Sequence, residues 1–281
     1  MAQYSTLPAV EQQPVKAHLS TPAPTMDPLG KYTLKHQGAF SAVEAIVAKE
    51  DGLTSLKAVG RAMVTMHNNV DLRVELEGGM GQACCRCCCA GSSAFLTHFF
   101  IKPELPPGTR GDVLLAPSVP GETILLHLQG SGDDWIMQKG AFLACDPEIE
   151  IGVHTQGVVT GCFGGEGIFV LRASGRGRLL VSSFGSIIRY DLGPGEVRKI
   201  DNGALVAWQS HMDYTVGKAS RSLFATIFSS EGFVTRFTGP GTVFAQTRTV
   251  KGLADAIAPY LPYQSAGGDG GAGADAGAGS G

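Results

Sequence analysis

The chain has 281 residues, 43% of them hydrophobic and 17% charged, with a formal net charge of -3. That is enough apolar mass for a packed core, which excludes global disorder, and it offers no bulk positive charge for holding nucleic acid. No apolar run reaches the roughly 18 residues of a membrane-spanning helix, and the 39 glycines point to a turn-rich β protein.

Residues 1–30 carry five prolines, Pro8, Pro14, Pro22, Pro24 and Pro28, and almost no apolar periodicity. They predict a flexible, partly extended arm. The arm has no arginine, one lysine (Lys16) and two acids, Glu11 and Asp27. It therefore lacks the Arg-rich, acid-poor character of a mitochondrial transit peptide, and it lacks the apolar stretch of a secretory signal. On this ground alone the default compartment is cytosolic. From about residue 31 the pattern changes to short apolar runs: Val43–Val47, Val113–Leu115, Ile124–Leu128, Phe169–Leu171 and Val197–Ile200. Pro106-Pro107-Gly108, Pro120-Gly121-Glu122 and Gly193-Pro194-Gly195-Glu196 separate them, as turns separate strands.

One segment recurs three times. The copies begin Arg61-Ala62-Met63-Val64-Thr65-Met66, Gly140-Ala141-Phe142-Leu143-Ala144-Cys145 and Gly203-Ala204-Leu205-Val206-Ala207-Trp208. Each reaches an apolar residue followed by an acid, at Val70-Asp71, Ile149-Glu150 and Met212-Asp213. A small-residue turn leading into an apolar strand follows each copy, at Gly91–Phe95, Gly164–Ile168 and Ser229–Phe233. Glu166 and Glu231 occupy one position of that turn, where the first copy has Ser93. A glycine pair comes next, Gly175/Gly177 in one copy and Gly239/Gly241 in another, and reads as a further turn. Two elements repeated in the same order predict three diverged copies of one β unit in a single domain over residues 31–262. Leu253, Ile257, Tyr260 and Leu261 fall at helical spacing before Pro262, which predicts a short C-terminal helix. Residues 263–281 are mostly Gly, Ala, Ser and Asp and predict a disordered tail.

Two clusters could carry chemistry. Cys84, Cys85, Cys87, Cys88 and Cys89 contain two interleaved C-x-x-C pairs, which is metal-ligand spacing. A closed zinc site would need a second pair, and Cys145 and Cys162 supply one only if folding brings them close. S-acylation and redox chemistry are other uses, and a small-residue loop with independent thiols is the plainest one. Arg172, Arg176 and Arg178 surround a glycine pair and could meet phosphate or RNA. The acidic overall balance and the lack of interleaved aromatic residues favour a solvated, salt-bridged turn instead. No His-x-x-x-His pair and no G-x-S-x-G elbow is present, so no catalytic residue is assigned and an enzyme is not expected.

The segments Gly140–Ala144, Gly165-Glu166-Gly167, Phe237–Val243 and Ile257–Pro262, taken in order, resemble the altered inheritance of mitochondria 24 family. The resemblance covers nearly all of the chain between the tails. It implies an all-β fold like that of the tryptophan RNA-binding attenuation protein, with strands packed as a double-stranded β-helix, and it implies oligomerisation. It also implies a mitochondrial role in the fungal branch, in inner-membrane organisation, and it carries over no catalytic residues; membrane-associated protein partners are expected, and no cofactor or metal is. The leading expectation is a non-enzymatic assembly protein that forms homo-oligomers. The alternatives are an anion or RNA module using the three arginines and a metal protein using the cysteine tract.

Overall fold

The computed structural model describes residues 31–35, 38, 40–49, 54–76, 95–130, 132–154, 170–218 and 233–261. The proline-rich arm, the cysteine tract, Cys162, the turn glutamates Glu166 and Glu231, and the 263–281 tail lie outside the described residues.

Alternation of apolar and polar side chains sets most of the strands. In β2 (Ala42–Ala48) and β7 (Arg110–Leu115) every second side chain is buried, as a strand with one face on a core requires. In chain order the first strands are β1 (Tyr32–Lys35), β2, β3 (Ser55–Val59), β4 (Met63–Met66), β5 (Val70–Leu76), β6 (Phe95–Ile101) and β7. Then come β8 (Thr123–Gln129), β9 (Trp135–Gln138), β10 (Phe142–Cys145), β11 (Ile149–His154) and β12 (Val170–Ser182). The last are β13 (Ile187–Leu192), β14 (Val197–Asp201), β15 (Leu205–Gln209), β16 (Asp213–Lys218), β17 (Phe233–Thr238) and β18 (Gly241–Gln246). All these strands pair antiparallel, in sheets of order β1-β2-β7-β4, β13-β18-β15-β9-β12-β10-β3-β6-β5 with β8 and β11 also on β12, and β14-β17-β16. The described residues of the apolar runs expected from the sequence all lie in strands, Phe169 being outside the described residues, and the three Pro/Gly segments are their connections.

One expected turn is absent. The pair Gly175/Gly177 lies inside β12, which runs unbroken for 13 residues from Val170 to Ser182. Gly177 sits at φ +144°, and a Cβ there would come within 2.9 Å of the Asp146 Cβ. These glycines let the strand pass close under the Asp146 corner rather than reverse the chain.

The three recurrent segments form β4, β10 and β15. Each has a register shift at the same place in its copy: between Met63 and Thr65 against β7, Phe142 and Ala144 against β12, and Leu205 and Ala207 against β18. Such a bulge opposes two residues to one and bends the strand. On the far side of β7, β12 and β18 lie β2, β8 and β13. Behind Asp71, Glu150 and Asp213 the pairs β5–β6, β11–β12 and β16–β17 keep the same alignment.

Three buried clusters fill the spaces between these groups. One centres on Val43, Leu56, Phe99 and Leu115, and takes in Leu143 and Leu180 from later strands. A second centres on Met137, Phe142, Ile149 and Leu179. The third holds Trp208, Phe237 and Val243, where the Trp208 indole meets Tyr214 and Phe237 edge-on at centroid distances of 5.3 and 5.5 Å. The β body ends at Thr249, and a separate unit begins at Val250. In that unit α1 (Val250–Ile257) and a 3-10 turn (Ala258–Tyr260) occupy the expected helical segment, and the side chains of Leu253, Ile257, Tyr260 and Leu261 are exposed. No helix among the described residues is long and apolar enough to cross a membrane.

Candidate functional site

The arginine cluster lies along β12. Arg178 is 8% exposed, and its Nε donates to Asp146 Oδ2 at 2.8 Å. The same oxygen accepts the backbone N–H of Arg178 at 3.0 Å. The other carboxylate oxygen, Oδ1, accepts the Tyr32 hydroxyl at 2.7 Å, and the guanidinium lies over the Tyr32 ring, 5.3 Å from its centroid. Burial, and then the negative charge of Asp146, push the Tyr32 phenol well above its usual range. The group is an internal charge pair capped by a phenol.

Arg172 is half-exposed, and its Nε donates to Asp134 Oδ2 at 2.9 Å, with Nη2 on the same oxygen. Asp134 is itself buried. Burial first, and then the Arg172 charge, lower the pKa of His154, which favours its neutral form. Arg176 is exposed between them. The structure thus places all three predicted arginines on one strand but gives two of them carboxylate partners within the fold. Both acids escaped the sequence reading, because they stand 38 and 32 residues away from their arginines with no local pattern to mark them. Cys145, the one predicted accessory thiol among the described residues, is fully buried at the end of β10. No cluster of three or more metal-ligating side chains occurs among the described residues.

A second feature is a difference among the strands formed by the three similar segments. All four residues of β10 are buried, as are the first four of β15. Each of these strands is flanked on both sides: β10 by β12 and β3, β15 by β18 and β9. In β4 all four residues are exposed, with Met63, Val64 and Met66 at 40%, 54% and 38%. Among the described residues β4 has β7 on one side and no strand on the other.

These features define a β-rich protein of antiparallel sheets whose core charges are matched internally and which keeps an apolar strand edge in solvent. The chain belongs to the mitochondrial biogenesis AIM24 family, whose model matches residues 32–248. It is 30% identical over 255 residues to an uncharacterised protein of Streptococcus pyogenes serotype M6, a match spanning 88% of this chain and 98% of that one. It also resembles the crystal structure of a Streptococcus pyogenes protein at 30% identity and a TM-score of 0.65, covering 82% of this chain and 99% of the other.

Proposed function

We propose that this protein is a non-enzymatic assembly scaffold built from three diverged copies of one six-strand module. The copies are β2–β7, β8 to β12 with β12 serving twice, and β13–β18. Support for the repetition comes from the shared bulge position in β4, β10 and β15 and from the common alignment of the strands around them. The single observation that carries the assembly reading is the exposure of β4, whose counterparts are covered by a neighbouring strand. A bare strand edge with apolar side chains is a template for pairing with another chain. The family's description supports a place for the scaffold in mitochondrial biogenesis; the work assigned to it is organisation of the inner membrane through membrane-associated protein partners.

The anion or RNA reading is weaker, because Asp134 and Asp146 already hold Arg172 and Arg178. Size-exclusion chromatography with light scattering tests the assembly reading. A particle of at least twice the 29.3 kDa chain mass at micromolar concentration is expected. A strictly monomeric species refutes it. Imaging of the full chain, tagged at its C-terminus, in its native cell tests the placement, and a signal confined to the cytosol refutes the mitochondrial part.

A further inference from the structure

The helical unit that follows the β body presents an apolar face to solvent. In α1 the residues Val250, Leu253 and Ile257 stand at i, i+3 and i+7, so their side chains share one face, with Ala254 beside them. The 3-10 turn and the residue after it add Tyr260 and Leu261. These five large side chains are between 43% (Ile257) and 86% (Tyr260) exposed. No residue of α1 or of the turn is buried. The opposite face of α1 holds Lys251 and Asp255, whose Nζ and Oδ2 lie 2.7 Å apart.

The two ends of the chain are poorly suited to cover that face. Residues 264–281 contain no Leu, Ile, Val, Met or aromatic side chain. Residues 1–30, interrupted by five prolines, have almost no apolar periodicity to match a helical stripe.

Size and charge choose between external partners. Eight α-helical residues at about 1.5 Å each and three 3-10 residues at about 2.0 Å each make an element roughly 18 Å long. A stripe about 10 Å wide along it offers roughly 180 Å². A stable protein interface buries about 800 Å² on each partner, so this face alone supplies roughly a quarter of what one needs. A bilayer surface needs no complementary outline and accepts a face of any size. Residues 250–261 contain one lysine and one aspartate, paired with each other, and no other charged side chain. There is thus no net charge for an acidic or basic partner to recognise. The element is too short to cross a hydrocarbon core of about 30 Å, so on a bilayer it lies along the surface. Tyr260, with an apolar ring and a hydroxyl that stays wet, suits the headgroup level.

We infer that α1 and the turn after it bind the surface of a lipid bilayer, with Val250, Leu253, Ile257 and Leu261 toward the acyl chains and the Lys251–Asp255 pair toward water. Binding comes from buried apolar area, so it needs no anionic lipid and resists salt. The inference concerns this unit alone and does not depend on the assembly reading.

The test is co-sedimentation of the full chain with phosphatidylcholine vesicles at about 0.1 M and about 1 M salt. The bound fraction is expected to be the same at both, and not to rise when phosphatidylglycerol is added. Leu253→Asp with Ile257→Asp lowers the partition coefficient by about tenfold or more, whereas Leu253→Ile with Ile257→Leu leaves it unchanged. All four substitutions fall at exposed positions, and an unchanged melting temperature confirms that the β body is intact. An intact chain that stays in the supernatant overturns the inference and hands the face to a protein groove. Binding that vanishes in salt or requires phosphatidylglycerol also overturns it, as does binding that survives the double Asp variant, which would put the lipid contact elsewhere on the chain. None of these results depends on particle mass, so the assembly reading stands or falls separately.

Discussion

Replacing Asp146 by Ala removes the carboxylate that joins Arg178, Tyr32 and the β12 backbone. Three donors lose their acceptor at once: Arg178 Nε at 2.8 Å, the Arg178 N–H at 3.0 Å and the Tyr32 hydroxyl at 2.7 Å. The side chains of Arg178 and Asp146 are 9% and 5% exposed, so water cannot readily replace the lost partner. Removing one member of a buried pair takes its counter-charge from the other and costs about 3–5 kcal/mol. With a urea m-value of about 2–3 kcal/mol/M, the unfolding midpoint falls by about 1–2.5 M. The fluorescence of Trp135 and Trp208, both buried, reports the transition. Asp134→Ala is the control. Its partner Arg172 has a side chain 46% exposed and can be solvated once the pair is gone. The cost there is about 0–1 kcal/mol. A further variant, Asp146→Ala with Arg178→Met, is more stable than Asp146→Ala alone, because the buried cation is removed with its partner. The reasoning is refuted if Asp146→Ala costs no more than Asp134→Ala, or if Arg178→Met brings no recovery.

Gly177→Ala places a methyl within 2.9 Å of the Asp146 Cβ at φ +144°; the expected loss is about 1–3 kcal/mol, measured by the same denaturation, and a neutral result would contradict the close passage of β12 under that corner. On alkaline titration followed by phenolate absorbance, Tyr214, raised by burial to about 12, and Tyr32, raised by burial and then by Asp146, ionise well above the free phenol value of about 10. The folded state holds these protons more tightly than the unfolded chain, so the stability they contribute is complete below about pH 10 and is lost as pH rises above it. Tyr32→Phe flattens that loss, and an unchanged alkaline slope in that variant counts against the Tyr32–Asp146 bond.

The legible part of this fold was local. Alternation at Val43–Val47 and Val113–Leu115 marks strands because a one-residue slip would turn every apolar side chain outward. The recurrent Ala62, Ala141 and Ala204 segments fall on β4, β10 and β15, each with a bulge the sequence did not announce. Gly175 and Gly177 misled, because glycine serves both a reversal and a close approach. Which of the two applies here depends on Asp146, about 30 residues earlier in the chain. The arginines were visible, but their acids were not: Asp134 and Asp146 sit beside them only because β9, β10 and β12 share a sheet. Nor could composition show that β4 is bare while its repeat partners are covered, since Met63 and Val64 are as apolar as Phe142 and Leu143.

The assembly account is tested most directly by photo-methionine, which places a diazirine at Met63 and Met66 with little change of shape. Full-length chains are grown in light and heavy isotope, mixed under conditions of exchange, irradiated and digested. The account predicts crosslinks from β4 of one isotope to the chain of the other. Crosslinks from β4 found only within a single isotope, in a sample that light scattering shows to be assembled, would contradict it.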